Sequence, residues 1–280
     1  CIRDRDNQYP ESHLWGIKEY VDKNGLESLR WHKVKKGGLG RLSHILEVIR
    51  IFFKNWRCDV IYSALPGYDW AFLLAKKFRL KNYRIITVVH HPSSRLLCLP
   101  LYDKLIFISK VAFMKYNYLP NAEYLFWGPD LNFYKIEDGK KEYDFISAGK
   151  THRDYTLMNY VLSKKGAQYR IFGDKSSTVN EISYPDLMSF YSKSKYVCIP
   201  MKQLKPEGAT LIGLTSFVDA IALGLPVLIS DNSLIGVDIE RNKLGKVYKA
   251  EDFDDFESQV DALMNMNDDE YEQMRQKCLD

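Results

Sequence analysis

Short β-branched runs that alternate with amphipathic stretches constrain this chain more than any other feature of its sequence. CDVIYSAL (Cys58–Leu65) precedes WAFLLAKKF, RIITVVH (Arg84–His90) follows, and DKLIFIS (Asp103–Ser109) precedes KVAFMKYNYL. A strand covered on both faces is apolar along its whole length, and parallel neighbours need a crossover of about a dozen residues or more. The pattern therefore predicts βαβ units and a parallel sheet. It then restarts: YDFISAG precedes TLMNYVLSKKG, AQYRIFG precedes a loop, and KYVCIP, PVLIS and KVYKA follow, ending in an acidic helix from about Asp254. Between the two series lies FWGPDLNFYKIEDGKKE, a Gly-Pro-Asp turn and a charged run that read as a linker. The expectation is an α/β chain of two Rossmann-like domains, residues 1–128 and 129–280, facing across a cleft. Open parallel sheets bind ligands at the carboxyl ends of their strands, so the cleft is the expected site.

Charge divides along the same line. Residues 1–128 hold 21 Lys and Arg against 11 Asp and Glu, a net of +10, while the remainder nets −6. A basic half suits an anionic partner: nucleic acid, a phosphorylated small molecule or an anionic membrane face. No nucleic-acid recognition motif accompanies the charge, so nucleic acid is not the expected partner. The five cysteines are scattered without a CxxC pair, which points to reduced thiols rather than a zinc site or a disulfide framework. No run is long and apolar enough to span a membrane and no signal pattern opens the sequence, so a cytoplasmic protein is expected.

The most informative segment is GATLIGLTSFVDAIALGLPVLIS, Gly208 to Ser230. Gly213 reads as a turn, Thr215 or Ser216 as a helix cap, Asp219 as an acid in the first turn, and Gly224-Leu225-Pro226 as the stop before a buried strand. Free amides and the positive dipole end at such a helix N-terminus form an anion site suited to a diphosphate.

This segment resembles the donor-binding signature of GT-B glycosyltransferases, particularly the large retaining family of sucrose synthase-like and bacterial polysaccharide enzymes. The match rests on Gly213, Asp219, Ala220, Ala222, Gly224, Pro226 and Val227. The resemblance implies that Asp219 accepts hydrogen bonds from the nucleotide ribose, and that Gly213, Leu214, Thr215 and Ser216 cup the diphosphate. Many members carry two glutamates seven residues apart. The second aligns with Asp219 and the first falls on Leu211, leaving the sugar contact unassigned, with Glu207 as a substitute. A second match follows the strand YDFISAG, where Gly149 leads into KTHRDY. By the same resemblance Lys150 and Arg153 neutralise the donor diphosphate and stabilise the leaving nucleotide. For each residue a plainer reading stands beside this one: Asp219 as a dipole-complementing acid, Lys150 and Arg153 as solvated cations.

In the first half, YPESHLWG offers Glu11 and His13 as acceptor contacts, although Glu11 and Ser12 equally suit a helix cap. VVHHP places His90 and His91 at a strand end, where the family's histidine would meet the transferred sugar; structural histidines are the alternative. Asp69, in PGYDW, is a further acceptor candidate with a turn or capping role as its rival. In RLSHILEVIRIFFKNWR, Leu42, Ile45, Leu46, Ile49, Phe52, Phe53 and Trp56 recur near helical spacing among Arg41, Arg50, Lys54 and Arg57. That stripe reads first as a helix packed on the sheet. The alternative is a basic amphipathic helix on an anionic membrane, with Lys33, Lys35 and Lys36 near a lipid phosphate. Asp4-Arg5-Asp6 reads as a solvated charge run, and no metal site is expected.

Taken together, the resemblance implies a metal-independent hexosyltransferase. Its donor substrate is a nucleoside diphosphate sugar, no other cofactor is needed, and its acceptor is a glycan or lipid-linked precursor of a bacterial surface polysaccharide at the inner membrane face. A sugar-nucleotide 2-epimerase of the same fold and a noncatalytic partner subunit are the alternatives.

Overall fold

The computed structural model describes Pro10, Lys23 and residues 38–63, 69–89, 99–135, 139–173, 182–203, 212–232 and 235–280. From Lys23 onward the chain divides into two compact units between Trp127 and Gly128.

The first unit runs α1 (Gly38–Lys54), β1 (Val60–Ser63), α2 (Trp70–Lys77), β2 (Arg84–Val89), a 3-10 turn (Leu99–Leu101), β3 (Lys104–Phe107), α3 (Lys110–Tyr116) and β4 (Ala122–Tyr124). Its sheet is parallel in the order β1-β2-β3-β4, with Ile61 opposite Ile85 and Thr87 opposite Leu105. Strand β2 is buried on both faces: Ile85, Thr87, Val88 and Val89 are all buried, and Arg84 at its start is exposed. Phe72 links helix to sheet, 5.1 Å from the Phe52 ring and 5.2 Å from the Tyr83 ring, both edge-on. Strand β4 was not visible in the sequence pattern, because three residues are too few to show a period.

Helix α1 departs from the expected single sheet-facing stripe. It buries Val48 and Ile51 and packs Phe52 inward, whereas Leu42, Ile45, Leu46 and Phe53 are exposed, as is Trp56 just beyond it. A stripe read at helical spacing cannot tell which of two adjacent apolar faces meets the core.

The second unit runs β5 (Tyr143–Ala148), α4 (Tyr155–Lys164), β6 (Tyr169–Phe172), α5 (Tyr184–Ser192), β7 (Ser194–Ile199), α6 (Leu214–Ala222), β8 (Val227–Ser230), β9 (Gly245–Tyr248), α7 (Phe253–Met264) and α8 (Asp268–Leu279). All five strands are parallel, in the order β6-β5-β7-β8-β9. Phe145, Leu157, Met158, Val161, Cys198 and Leu228 form its core. Two helices differ from expectation. After β6 the chain forms α5, started by Ser183, whose Oγ accepts from the Asp186 amide at 3.2 Å, with Pro185 in the first turn. The acidic C-terminal helix is two helices, because Asn267 caps a new one by accepting from the Glu270 amide at 2.9 Å.

Cys58, Cys198 and Cys278 are free thiols.

Candidate functional site

In this strand order the chain reverses direction across the sheet between β5 and β7. Loops leaving two such strands part to opposite sides, and the gap between them is where open parallel sheets take ligands. Here the two loops are stitched together. Arg153 and Met201 form an antiparallel bridge, the Asp154 amide donates to the Pro200 carbonyl at 2.8 Å, and the Lys202 amide donates to the His152 carbonyl at 3.0 Å. Asp154 caps α4 through the Leu157 amide at 3.1 Å, and the Tyr155 hydroxyl donates to the Gly149 carbonyl at 2.7 Å. KTHRDY is therefore a rigid turn with a single direction for Arg153.

The guanidinium lies across Gly149, whose φ is +138°; a Cβ there would stand 2.9 Å from Nη2 of Arg153. Nη2 donates to Ser216 Oγ at 3.2 Å and reaches the Ala148 carbonyl at 3.4 Å, while Ser216 Oγ donates to that carbonyl at 3.1 Å. The other two nitrogens, Nε and Nη1, are buried without a hydrogen-bond partner among the described residues. A buried charged donor left unpaired costs several kcal/mol in general, so a ligand is the natural partner.

Helix α6 brings the complementary group. Gly213 precedes it in the left-handed conformation, φ +94°. A Cβ at Gly213 would meet Ile199 Cγ2 at 3.0 Å and stand 3.8 Å from Arg153 Nη1, which places the guanidinium beside the helix start. The first intrahelical bond runs from the Phe217 amide to the Gly213 carbonyl at 2.9 Å, so the amides of Leu214, Thr215 and Ser216 precede it. A buried guanidinium and the positive end of a helix thus stand side by side, an arrangement that favours a bound anion.

Several expectations are corrected here. Gly213 occupies the N-cap, not Thr215 or Ser216, and it makes no side-chain cap. Thr215 is exposed, Leu214 is buried and offers only its backbone, and the Ser216 hydroxyl faces Arg153. Asp219 is the sixth residue of the helix, not in its first turn, about 7 Å along the axis from its start. It is buried, and its Oδ1 accepts from the hydroxyls of Tyr134 and Tyr184, both at 2.6 Å. Oδ1 of Asp219 is thus engaged by two tyrosine hydroxyls. Burial first, then the Asp219 charge, raises Tyr184 above the ordinary tyrosine value. The sequence reading missed Tyr134 and Tyr184; the available signal was the aromatic pair Phe133-Tyr134 inside a polar linker.

Lys150 is exposed on the Arg153 loop. Asp69 stands at the N-cap position of α2 without capping it; it is buried and accepts from the Tyr102 hydroxyl at 3.0 Å. His90, His91, Glu11, His13, Glu207, Leu211, Lys33, Lys35, Lys36 and the Asp4–Asp6 run lie outside the described residues. Among the described residues no group of three His, Cys, Asp or Glu is placed to hold a metal ion. A cavity of about 350 Å³ opens among Lys141, Asp144, Lys195, Tyr196 and Tyr271, at the amino ends of β5 and β7 and so at the end of the sheet opposite Arg153. Its lysines are balanced by Asp144 and Asp268, and we assign the site to the carboxyl end.

No protein-family model and no curated protein matches the sequence. Solved structures do match. Sucrose-phosphate synthase from Thermosynechococcus elongatus is 11% identical, with a TM-score of 0.66 over 95% of this chain and 87% of that one. HepE of Anabaena in complex with UDP is 11% identical, with a TM-score of 0.65 over 94% and 83%. A UDP-N-acetylglucosamine 2-epimerase is 14% identical, with a TM-score of 0.55 over 93% and 79%. At such identity the likeness speaks for the fold alone, and the chain has the α/β fold of the GT-B glycosyltransferases.

Proposed function

We propose that the chain is a glycosyltransferase whose second unit holds the diphosphate of a nucleoside diphosphate sugar between Arg153 and the start of α6. The observation that carries this reading is the pair of buried, unpartnered nitrogens of Arg153 beside the Leu214–Ser216 amides. An anion accepting from these groups satisfies donors that otherwise lack partners, and a diphosphate has oxygens enough to reach both.

The same groups suit the chemistry. Charge builds on the departing diphosphate as the bond to the sugar breaks, so donors fixed at that oxygen cluster act most strongly in the transition state. Arg153 is held for this by Ser216 and Ala148, and Lys150, on the same loop, supplies a mobile cation. These groups take the part a divalent cation plays in metal-dependent transferases, which makes the reaction metal-independent in this proposal. His90 or His91 contacts the transferred hexose, Glu11 and His13 the acceptor. That acceptor is a glycan or lipid-linked precursor of a bacterial surface polysaccharide, met at the inner face of the membrane. The likeness to a 2-epimerase supports a second reading, in which nucleotide-sugar is isomerised with no acceptor.

A UDP-bound protein of this fold makes UDP the first probe. Thermal denaturation in UDP, and in the other nucleoside diphosphates, is measured with and without chelator. At about 100 times its dissociation constant the right nucleotide adds roughly 2.7 kcal/mol. Failure of every nucleoside diphosphate to raise the melting temperature rejects the donor site, and binding lost in chelator rejects metal independence. Release of free nucleoside diphosphate from nucleotide-sugar separates a transferase from an epimerase.

A further inference from the structure

The first unit presents large apolar side chains to solvent beside cations. Phe53, in the last turn of α1, is 70% exposed, and Phe78 and Leu80, in the turn that closes α2, are 67% and 66% exposed. The two places are joined. Lys81 Nζ donates to the Trp56 carbonyl at 3.0 Å, and the exposed Trp56 ring lies 6.4 Å from that of Tyr83. Lys54, Arg57, Lys77 and Arg79 interleave with these residues in sequence and are exposed. From Arg50 to Arg84 there are eight Lys and Arg and two Asp. Arg50 pairs with Glu47, Lys76 with Asp103 and Lys81 with Asp59, and Asp69 is buried, so the charge of the face comes from Lys54, Arg57, Lys77 and Arg79.

The face is therefore cationic and apolar together. Protein interfaces deplete lysine at their apolar centres, and a second copy of this chain would bring like charge against like. Single-stranded nucleic acid would use the rings for stacking but has no use for Leu80 or the exposed Leu74. A surface of anionic headgroups over hydrocarbon satisfies both features, attracting the cations and receiving aromatic and aliphatic side chains at the boundary. We propose that the end of α1 and the turn after α2 form a docking face for an anionic lipid bilayer. This inference is independent of the donor site: a chain that binds no nucleotide and still docks leaves it standing.

The test is flotation of the intact chain with vesicles of phosphatidylcholine alone and of equal parts phosphatidylcholine and phosphatidylglycerol. Binding is expected to the anionic vesicles only and to weaken with added salt. Replacing Lys54, Arg57, Lys77 or Arg79 by Gln weakens it about fivefold each. The double variant Phe53→Ser, Phe78→Ser abolishes it while circular dichroism stays that of the parent, since these side chains are exposed. Equal binding to both vesicles, or none to either, overturns the proposal. So does undiminished binding by the variants, which would place the attraction elsewhere. Loss in the double variant of self-association seen by size exclusion, or of oligonucleotide binding, with vesicles unbound, assigns the face to a second copy or to nucleic acid instead.

Discussion

Arg153 brings a permanent charge to a place where two of its nitrogens find no acceptor among the described residues. A residue kept for stability would not be left so. Arg153→Met is thus expected to change folding stability by no more than about 1 kcal/mol, because a buried unpaired charge is removed along with its bonds. Nucleotide affinity is expected to fall about ten- to a hundredfold, the worth of charge-assisted bonds. Urea denaturation and calorimetry read the two quantities separately, and a large stability loss with intact affinity would make Arg153 a structural residue. Asp219 is the opposite case, since its Oδ1 holds two buried hydroxyls. Asp219→Asn should cost about 1–3 kcal/mol of stability, as the charge-assisted part of both bonds is lost, and move donor affinity less than about threefold. A hundredfold affinity loss at unchanged stability would favour the ribose role. Arg153 could be singled out in the sequence because it lies in the turn that follows a strand. The partners of Asp219 were not, because they stand 85 and 35 residues away and only the fold brings them together.

Helix α6 depends on the one residue before it. Gly213 needs a left-handed backbone that costs an L-residue roughly 1–2 kcal/mol, and its missing Cβ leaves room for Ile199. Gly213→Ala should lower stability by about that amount or more. It should also weaken nucleotide binding, because relief of the clash shifts the amides of Leu214 to Ser216; unchanged affinity in calorimetry would mean that these amides do not contact the ligand. Among the elements, strands were the easier part of the sequence. β5 and β7 carry apolar runs that stop at Gly149 and Pro200, and Pro226 opens the apolar run of β8. Helix α5 was read as loop, since its SYPDLMSFYS carries a cap, a proline and few aliphatic residues, and its apolar content is aromatic. α1 was found as a helix but not oriented, because orientation is a property of what it packs on.

Across the molecule, the restart of the βαβ pattern reported two sheets, and each unit does carry its own parallel sheet. The strand order within each was not legible, since parallel strands look alike from sequence whichever neighbour they take. The second unit also encloses ionisable tyrosines: burial raises Tyr184, Tyr191 and Tyr248 above their ordinary value of 10.0. An unfolded tyrosine releases its proton near pH 10 while these keep theirs, so the native state binds more protons above that point and stability falls as pH rises. Denaturation midpoints should be flat in this respect below about pH 10 and drop beyond it. Tyr184→Phe should lower stability at neutral pH and flatten the alkaline drop, and an unchanged alkaline slope would show that Tyr184 is not among the groups responsible.

The stitching of the loops after β5 and β7 bears on how a ligand is met. Since His152, Asp154, Pro200 and Lys202 are already hydrogen-bonded to one another, the disorder of these two turns is lost when the protein folds, not when the nucleotide arrives. For this part of the site, association has no ordering step to wait for, and the entropy of holding Arg153 in place does not subtract from the affinity of whatever anion it meets.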